Sequence, residues 1–324
     1  PLNAMYPGVV TFLADAPGPN VPGDFDPDWS GVTRNFFMSE NQKFRRNNID
    51  GKIDWNRNER HLVWGKYSAM DALVTAVCGF NAKVGGVCGE SWGDSGRHHD
   101  LVQVVTLGHT WSLSPNFVID GSIGYSRMGI DGQPDDFGNN VGLDVLKIPG
   151  TNDPNDPRYG GIPQIMIGGF GDPYWSGNAI LFGSPTTWNP YYRNDWSLTN
   201  SHNASWTKGK HTLRFGTDII RHHMNHWQPE NGYGPRGGFA FYYSDSTFLN
   251  TANLDIPADN DVFHNRYNGF AAFLMGNYDA GGRSVQFQKM NIKENQFGFH
   301  FLDRWRAAPK LTLNLGLRYE YYPL

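Results

Sequence analysis

Apolar and polar residues alternate with period two along several segments of this chain, the signature of a strand with one apolar face. The clearest segment places Leu311, Leu313, Leu315, Leu317, Tyr319 and Tyr321 on one face and Thr312, Asn314, Gly316, Arg318 and Glu320 on the other. Just before it, Phe297, Phe299, Phe301 and Trp305 oppose Gln296, Gly298, His300 and Arg304, with Ala307 to Lys310 as a short turn between. That arrangement predicts a β-hairpin. Three further hairpins follow the same plan: Asn47–Asn56 into His61–Tyr67, Leu101–Trp111 into Phe117–Tyr125, and Trp196–Trp206 into Leu213–Ile219. The pattern predicts about eight strands, each near the roughly 9–11 residues that a tilted strand needs to cross a bilayer.

Two regularities bear on where such strands sit. A Trp stands shortly before each tight turn: Trp55, Trp111, Trp206 and Trp305. An indole suits the boundary between hydrocarbon and water, with its ring buried and its N–H wet, so these four are expected to form one arc of a membrane-interface girdle. The connections also alternate in size. Tight turns alternate with stretches of about 30 residues (69–99) and about 65 residues (128–193 and 222–290), against an ordinary connection of about 4–6. Short periplasmic turns and long extracellular loops are the habit of bacterial outer-membrane barrels. Alternation alone also fits a soluble sandwich, whose apolar face would be a core. The turns and Trp positions favour the all-β, antiparallel transmembrane barrel segment.

Composition agrees. The 324 residues carry 27 Lys plus Arg against 31 Asp plus Glu, a net charge of −4, so a nucleic-acid surface is not expected. Charged residues make up only 18% and aromatics 15%, with 39 Gly, an unusual balance for a helical bundle or a charged disordered chain. No run of about 18 apolar residues predicts a membrane helix. The chain opens Pro1-Leu2-Asn3 without a leader and stops at Leu324, straight after a strand pattern. Residues 1–324 are therefore expected to be part of one barrel domain, with plug, leader and closing strands outside it.

Several segments resemble one family in order along the chain. Trp206-Thr207-Lys208-Gly209-Lys210-His211-Thr212-Leu213-Arg214-Phe215-Gly216 resembles a hairpin of TonB-dependent outer-membrane receptors of the Oar-like type. Asn48–Tyr67, Leu107–Arg127, Ile148–Phe170 and Phe270–Gly276 resemble further segments of that family, as does Asp303–Glu320. The resemblance implies a plugged barrel of about 22 strands, an inner-membrane TonB-type energy-coupling partner engaged through an N-terminal part, and import of a scarce or bulky solute. It covers the central barrel portion only.

Candidate chemistry is sparse. Cys78 and Cys88 close a small Gly-rich loop, which suits a disulfide in an oxidising compartment; free thiols and a metal pair with His98 or His99 stay open. His222 and His226 would share the face of a helix and bind metal there, but they follow a strand toward the rim, so no metal is expected. Asp131, Asp135, Asp136, Asp144, Asp153 and Asp156 make the second long loop acidic without an EF-hand frame. Gly93-Asp94-Ser95-Gly96 lacks partners for nucleophilic catalysis. Tyr174 and Trp175 are the candidate ligand contacts, and Trp188, Tyr191 and Tyr192 the candidate upper girdle. Phe270, Phe273 and Leu274 fall at helical spacing within 268–277, which predicts a short packed helix.

These readings predict part of a TonB-dependent transporter in the outer membrane of a bacterial cell. It would contact outer-membrane lipid and an unknown small solute, oligosaccharide or peptide, with no cofactor and no enzymatic activity. The alternatives are a soluble all-β carbohydrate- or ligand-binding protein, and a small eight-stranded outer-membrane barrel acting as adhesin or scaffold.

Overall fold

Tight two-residue turns organise the longest elements of the molecule. In the computed structural model they fall at Glu59-Arg60, Pro115-Asn116, Gly209-Lys210 and Pro309-Lys310. At Gly209 the backbone has φ +60, a left-handed conformation that glycine adopts without a Cβ penalty. The structure describes residues 6–15, 18–26, 31–33, 35, 37, 41–76, 96–168, 179–182, 189–229, 233–241 and 266–323.

Each turn joins two long strands: β3 (Lys43–Asn58) to β4 (His61–Ala76), β5 (Gly96–Ser114) to β6 (Phe117–Gln133), β9 (Tyr191–Lys208) to β10 (His211–Trp227), and β13 (Met290–Ala308) to β14 (Leu311–Tyr321). The eight form one antiparallel sheet in the order β14-β13-β10-β9-β6-β5-β4-β3. Strands such as β5 and β13 reach 19 residues, so they extend well past the alternating stretches. The expected loop bounds of 69–99, 128–193 and 222–290 are therefore too wide. The ladder continues through pairs such as His99↔Asp131 and His223↔Lys293, because strand pairing needs only backbone groups. Polar residues on both faces hide those upper ends from hydropathy.

The expected count of about eight strands also needs correction, since fourteen are described. The short strands β1 (Asp24–Asp26) and β2 (Gly31–Thr33) pair with each other. A further sheet has the order β12-β11-β7-β8, made of β7 (Gln164–Gly168), β8 (Ala179–Phe182), β11 (Gly238–Phe241) and β12 (Ala280–Gly282). These strands are three to five residues long, too short to declare themselves by alternation. The long sheet is open: among the described residues β3 and β14 are its edges and do not pair with each other.

The buried core does not lie against the long sheet. It gathers Val9 and Phe12 of α1 (Pro7–Asp15), Val141 and Leu146 around a π-helical turn (Val141–Val145), Ile162, Ile165 and Ile167 near β7, Phe241 of β11, and Ala272 and Phe273 of α2 (Arg266–Met275). α2 is the predicted short helix; Phe273 is buried within the core while Phe270 stays partly exposed. The apolar face of the long sheet is bare instead, with Ile53 76%, Leu107 61% and Leu317 73% exposed. A soluble sandwich would bury that face, because each Å² of apolar surface left wet forgoes about 25 cal/mol of stabilisation. Among the described residues, no second layer covers it away from the end of β10, where Trp227 is buried.

Candidate functional site

Register sorts the long sheet into two chemically distinct faces. Residues directly opposite in antiparallel strands share a face. One such row runs Val105↔Tyr125↔Leu198, and another Ala204↔Phe215↔Phe301↔Leu317. The opposite face is polar and knitted together. Asp50 Oδ1 accepts from Ser68 Oγ at 2.5 Å and lies 3.8 Å from Lys66 Nζ. Asp218 accepts from Ser201 Oγ at 2.7 Å and pairs with Arg318 at 3.5 Å. Asn203 Nδ2 donates to Asp120 at 3.2 Å.

Along β9 the apolar face carries Trp206 near the tight turn and Trp196 ten residues away. Ten residues rise about 33 Å, or about 25 Å once a strand tilts by roughly 40°. That is the height of the outer apolar band of a membrane barrel. At the Trp196 level the row across the sheet turns polar: Gln103↔Arg127↔Trp196↔His223↔Lys293. Tyr125 packs 6.0 Å from Trp196, and His223 packs 5.0 Å from it. Between the two tryptophans, His202 stands over Gly121, where an added Cβ would meet its ring at 2.3 Å.

Within the long connections, the short strands β7, β8, β11 and β12 and helix α2 form a cap together with α1. Its second long loop is held by buried polar groups. Asp136 accepts from the Ile162 N–H at 2.7 Å and pairs with Arg236 at 3.4 Å, and both side chains are about 95% buried or more. Burial pushes the Asp136 carboxyl up from the ordinary carboxylate range, against the pull of Arg236. Arg236 also donates to the Asn189 carbonyl at 2.9 Å. Asn152, at φ 55, donates to the carbonyls of Tyr159 and Gly161 and accepts from the Leu143 N–H.

A single indole seats the cap on the strand ends. Trp227, the last residue of β10, is fully buried, and its Nε1 donates to the Gln286 carbonyl at 2.9 Å. The Arg158 guanidinium lies 4.4 Å over its ring, and Tyr159 and Tyr192 meet it at 5.8 and 5.9 Å. Asp156 holds Arg158 through three contacts of 2.6–3.0 Å. That hydrogen-bonded pairing holds the Asp156 carboxyl below its ordinary range.

Inside the cap lies a cavity of about 250 Å³, lined by α1, the π-helical turn, β7, β11, α2 and the residue Tyr278 beyond it. No charged residue is among its described lining.

A family model for the outer membrane beta barrel domain matches residues 1–324. The chain belongs to the outer membrane beta barrel domain family. Its place is the bacterial outer membrane. Solved structures resemble it at low identity. The ferric enterobactin receptor of Pseudomonas aeruginosa is 12% identical with a TM-score of 0.40, over 90% of this chain and 31% of that one. The copper transporter OprC is 12% identical with a TM-score of 0.35, over 85% and 29%. The ferric preacinetobactin receptor of Acinetobacter baumannii is 11% identical with a TM-score of 0.36, over 86% and 34%. This chain thus spans about a third of their length. No curated protein sequence matches it.

In this outer membrane barrel domain, Trp55, Trp111, Trp206 and Trp305 stand at the turn ends of β3, β5, β9 and β13, all on the apolar face and all 36–59% exposed. Trp111 stacks on His61 at 5.0 Å and Trp305 on His211 at 5.6 Å. His222 and His226 lie on strand β10, where His222 Nδ1 is 2.7 Å from Ser197 Oγ and His226 Nε2 is 2.6 Å from Gln228 Oε1. No cluster able to hold a metal occurs among the described residues. Of the candidate upper girdle, Tyr192 joins Trp227 on the apolar face, whereas Tyr191 is on the polar face beside His98. Tyr174, Trp175, Trp188, Cys78 and Cys88 lie outside the described residues.

Sequence reasoning named Asp136 only as one acid of the second long loop and missed Arg236, Arg158 and Trp227. The acidity of that loop is visible in the sequence, but not that two of its carboxylates hold buried or half-buried arginines. A signal did exist: Arg158 follows Asp156 at a helix-capping spacing, with Pro157 between.

Proposed function

We propose that the chain forms a section of the wall and outer cap of a TonB-dependent transporter of the Oar-like type, which captures and imports a scarce or bulky solute. The observation that carries this reading is the pairing of an uncovered apolar sheet face with a polar opposite face, alternating tight turns and long connections, and a packed cap at one end. On this reading the apolar face meets lipid, the four turn-end tryptophans meet the inner interface, and the polar face lines a lumen. The cap then faces the cell exterior, where a solute first arrives. Energy would come from a TonB-type partner acting on the remainder of the protein, and the chain itself performs no catalytic step.

A soluble carbohydrate-binding sandwich is disfavoured by the bare apolar face. A complete eight-stranded barrel is disfavoured because, among the described residues, the edge strands β3 and β14 do not pair with each other. The test is solute uptake by cells that express or lack the full-length protein, offered ferric chelates, cobalamin, oligosaccharides and peptides. Uptake of one class that needs the protein and stops with an uncoupler supports the reading. Uptake that never depends on the protein, or that an uncoupler leaves unchanged, contradicts it.

A further inference from the structure

The cap has the one closely packed core of the described residues, and beside that core a cavity of about 250 Å³ opens to solvent. The walls are stiff. Phe12 and Phe273 meet edge to face at 6.0 Å and 84°, and Phe241 and Phe273 at 5.5 Å and 80°. Rings fixed by one another from α1, α2 and β11 cannot collapse inward without leaving those contacts.

The lining also excludes most ligand chemistries. Val9, Phe12, Ile165, Phe239, Phe241 and Phe273 supply apolar surface, and the Tyr6 hydroxyl is already committed to the Lys147 carbonyl at 3.0 Å. A charged chelate or a sugar would lose its hydration here without replacement, at a cost of several kcal/mol per polar group. An apolar group loses nothing comparable. The mouth is open to solvent, since Tyr278 on its rim is 54% exposed.

We propose that this cavity is a binding site for a small apolar group, an aromatic ring or a short acyl segment, presented by a molecule arriving at the cap. An apolar cavity of roughly 150 Å³ elsewhere stays dry and takes benzene, so this one scales to about ten carbon atoms. The proposal rests on reading the cap as the outward, solute-facing part of a transporter, and it gives that solute an apolar moiety.

The test is a crystal of the full-length protein soaked with iodobenzene, whose iodine is located by anomalous scattering. An iodine peak within the cavity is expected, and Val9→Phe, which fills the space, removes it. In parallel, fluorobenzene titrated into the protein in lipid nanodiscs and followed by fluorine NMR should bind at least tenfold more weakly to V9F. Empty nanodiscs supply the lipid background. If V9F does not fold, Ile148→Phe fills the cavity from another wall. An empty or water-filled cavity at saturating probe, or binding that neither filling variant weakens, overturns the proposal. Energised uptake of a wholly polar solute would leave the transport reading intact and remove only this inference; loss of all uptake dependence would remove the transport reading while the iodine peak could still stand.

Discussion

Asp136 and Arg236 form a buried pair in which each partner is costly to leave alone. Removing the carboxylate leaves a guanidinium that is 5% exposed without its counter-charge, a loss of about 3–5 kcal/mol. D136A should therefore open the cap to protease, with cleavage concentrated between residues 134 and 168, while D136A/R236M is less damaging than D136A alone. Equal sensitivity of the single and double variants would show that the charge is not what matters. The Asp156–Arg158 pair makes a second residue-scale prediction. Its carboxyl sits below the ordinary value of 3.8, so its contribution is fully present above that value and is lost as pH falls through the depressed one. Amide exchange across 152–160 should be faster in D156N at neutral pH, by about 1–3 kcal/mol in local opening free energy. Wild type and variant should converge as pH drops below 3.8. At this scale little was legible beforehand. A buried ion pair between residues 100 apart leaves no periodic trace, whereas Trp55, Trp111, Trp206 and Trp305 betray themselves by recurring at a fixed place before each turn.

The long strands show how much an element can announce. Their faces were readable because side chains alternate strictly and the chemistry of the two faces differs: Ile123 of β6 lies in a row with Leu107 and Asn200, and its neighbour Ser122 in a row with Gly108 and Ser201. That contrast is testable. Ile123→Arg places a charge on the apolar face and should cost about 2–4 kcal/mol near mid-membrane, read as a loss of heat-resistant, compact migration on unboiled gels. Ser122→Arg on the polar face should fold normally; equal damage from both would overturn the assignment of faces. The upper strand ends, the parallel pair β7 and β11, and α1 were not legible. Gln164–Gly168 and Gly238–Phe241 are short and mostly apolar, without alternation, and pair across 70 residues or more of chain, so neither period nor proximity marks them. α2 was legible because Phe270, Phe273 and Leu274 repeat at helical spacing even where the surrounding loop gives no pattern.

At the scale of the whole molecule the two hydrophobic inventories have different destinations. One is gathered in the cap as a packed core around Phe12, Ile165 and Phe273; the other is spread over the bare face of the long sheet. A soluble domain has use for only the first. The second calls for hydrocarbon as its solvent, which accords with a chain of the outer membrane beta barrel domain family. The central claim is a sidedness: cap outside, tight turns in the periplasm. It is tested most directly by cysteine accessibility in intact cells, in a full-length background carrying Cys78→Ser and Cys88→Ser. A membrane-impermeant maleimide should label Asn155→Cys in the cap at once, and should label Lys208→Cys and Lys310→Cys beside the turns only after the outer membrane is permeabilised. Labelling of the turn positions in intact cells with the cap protected, or equal labelling of all three sites, would contradict the account.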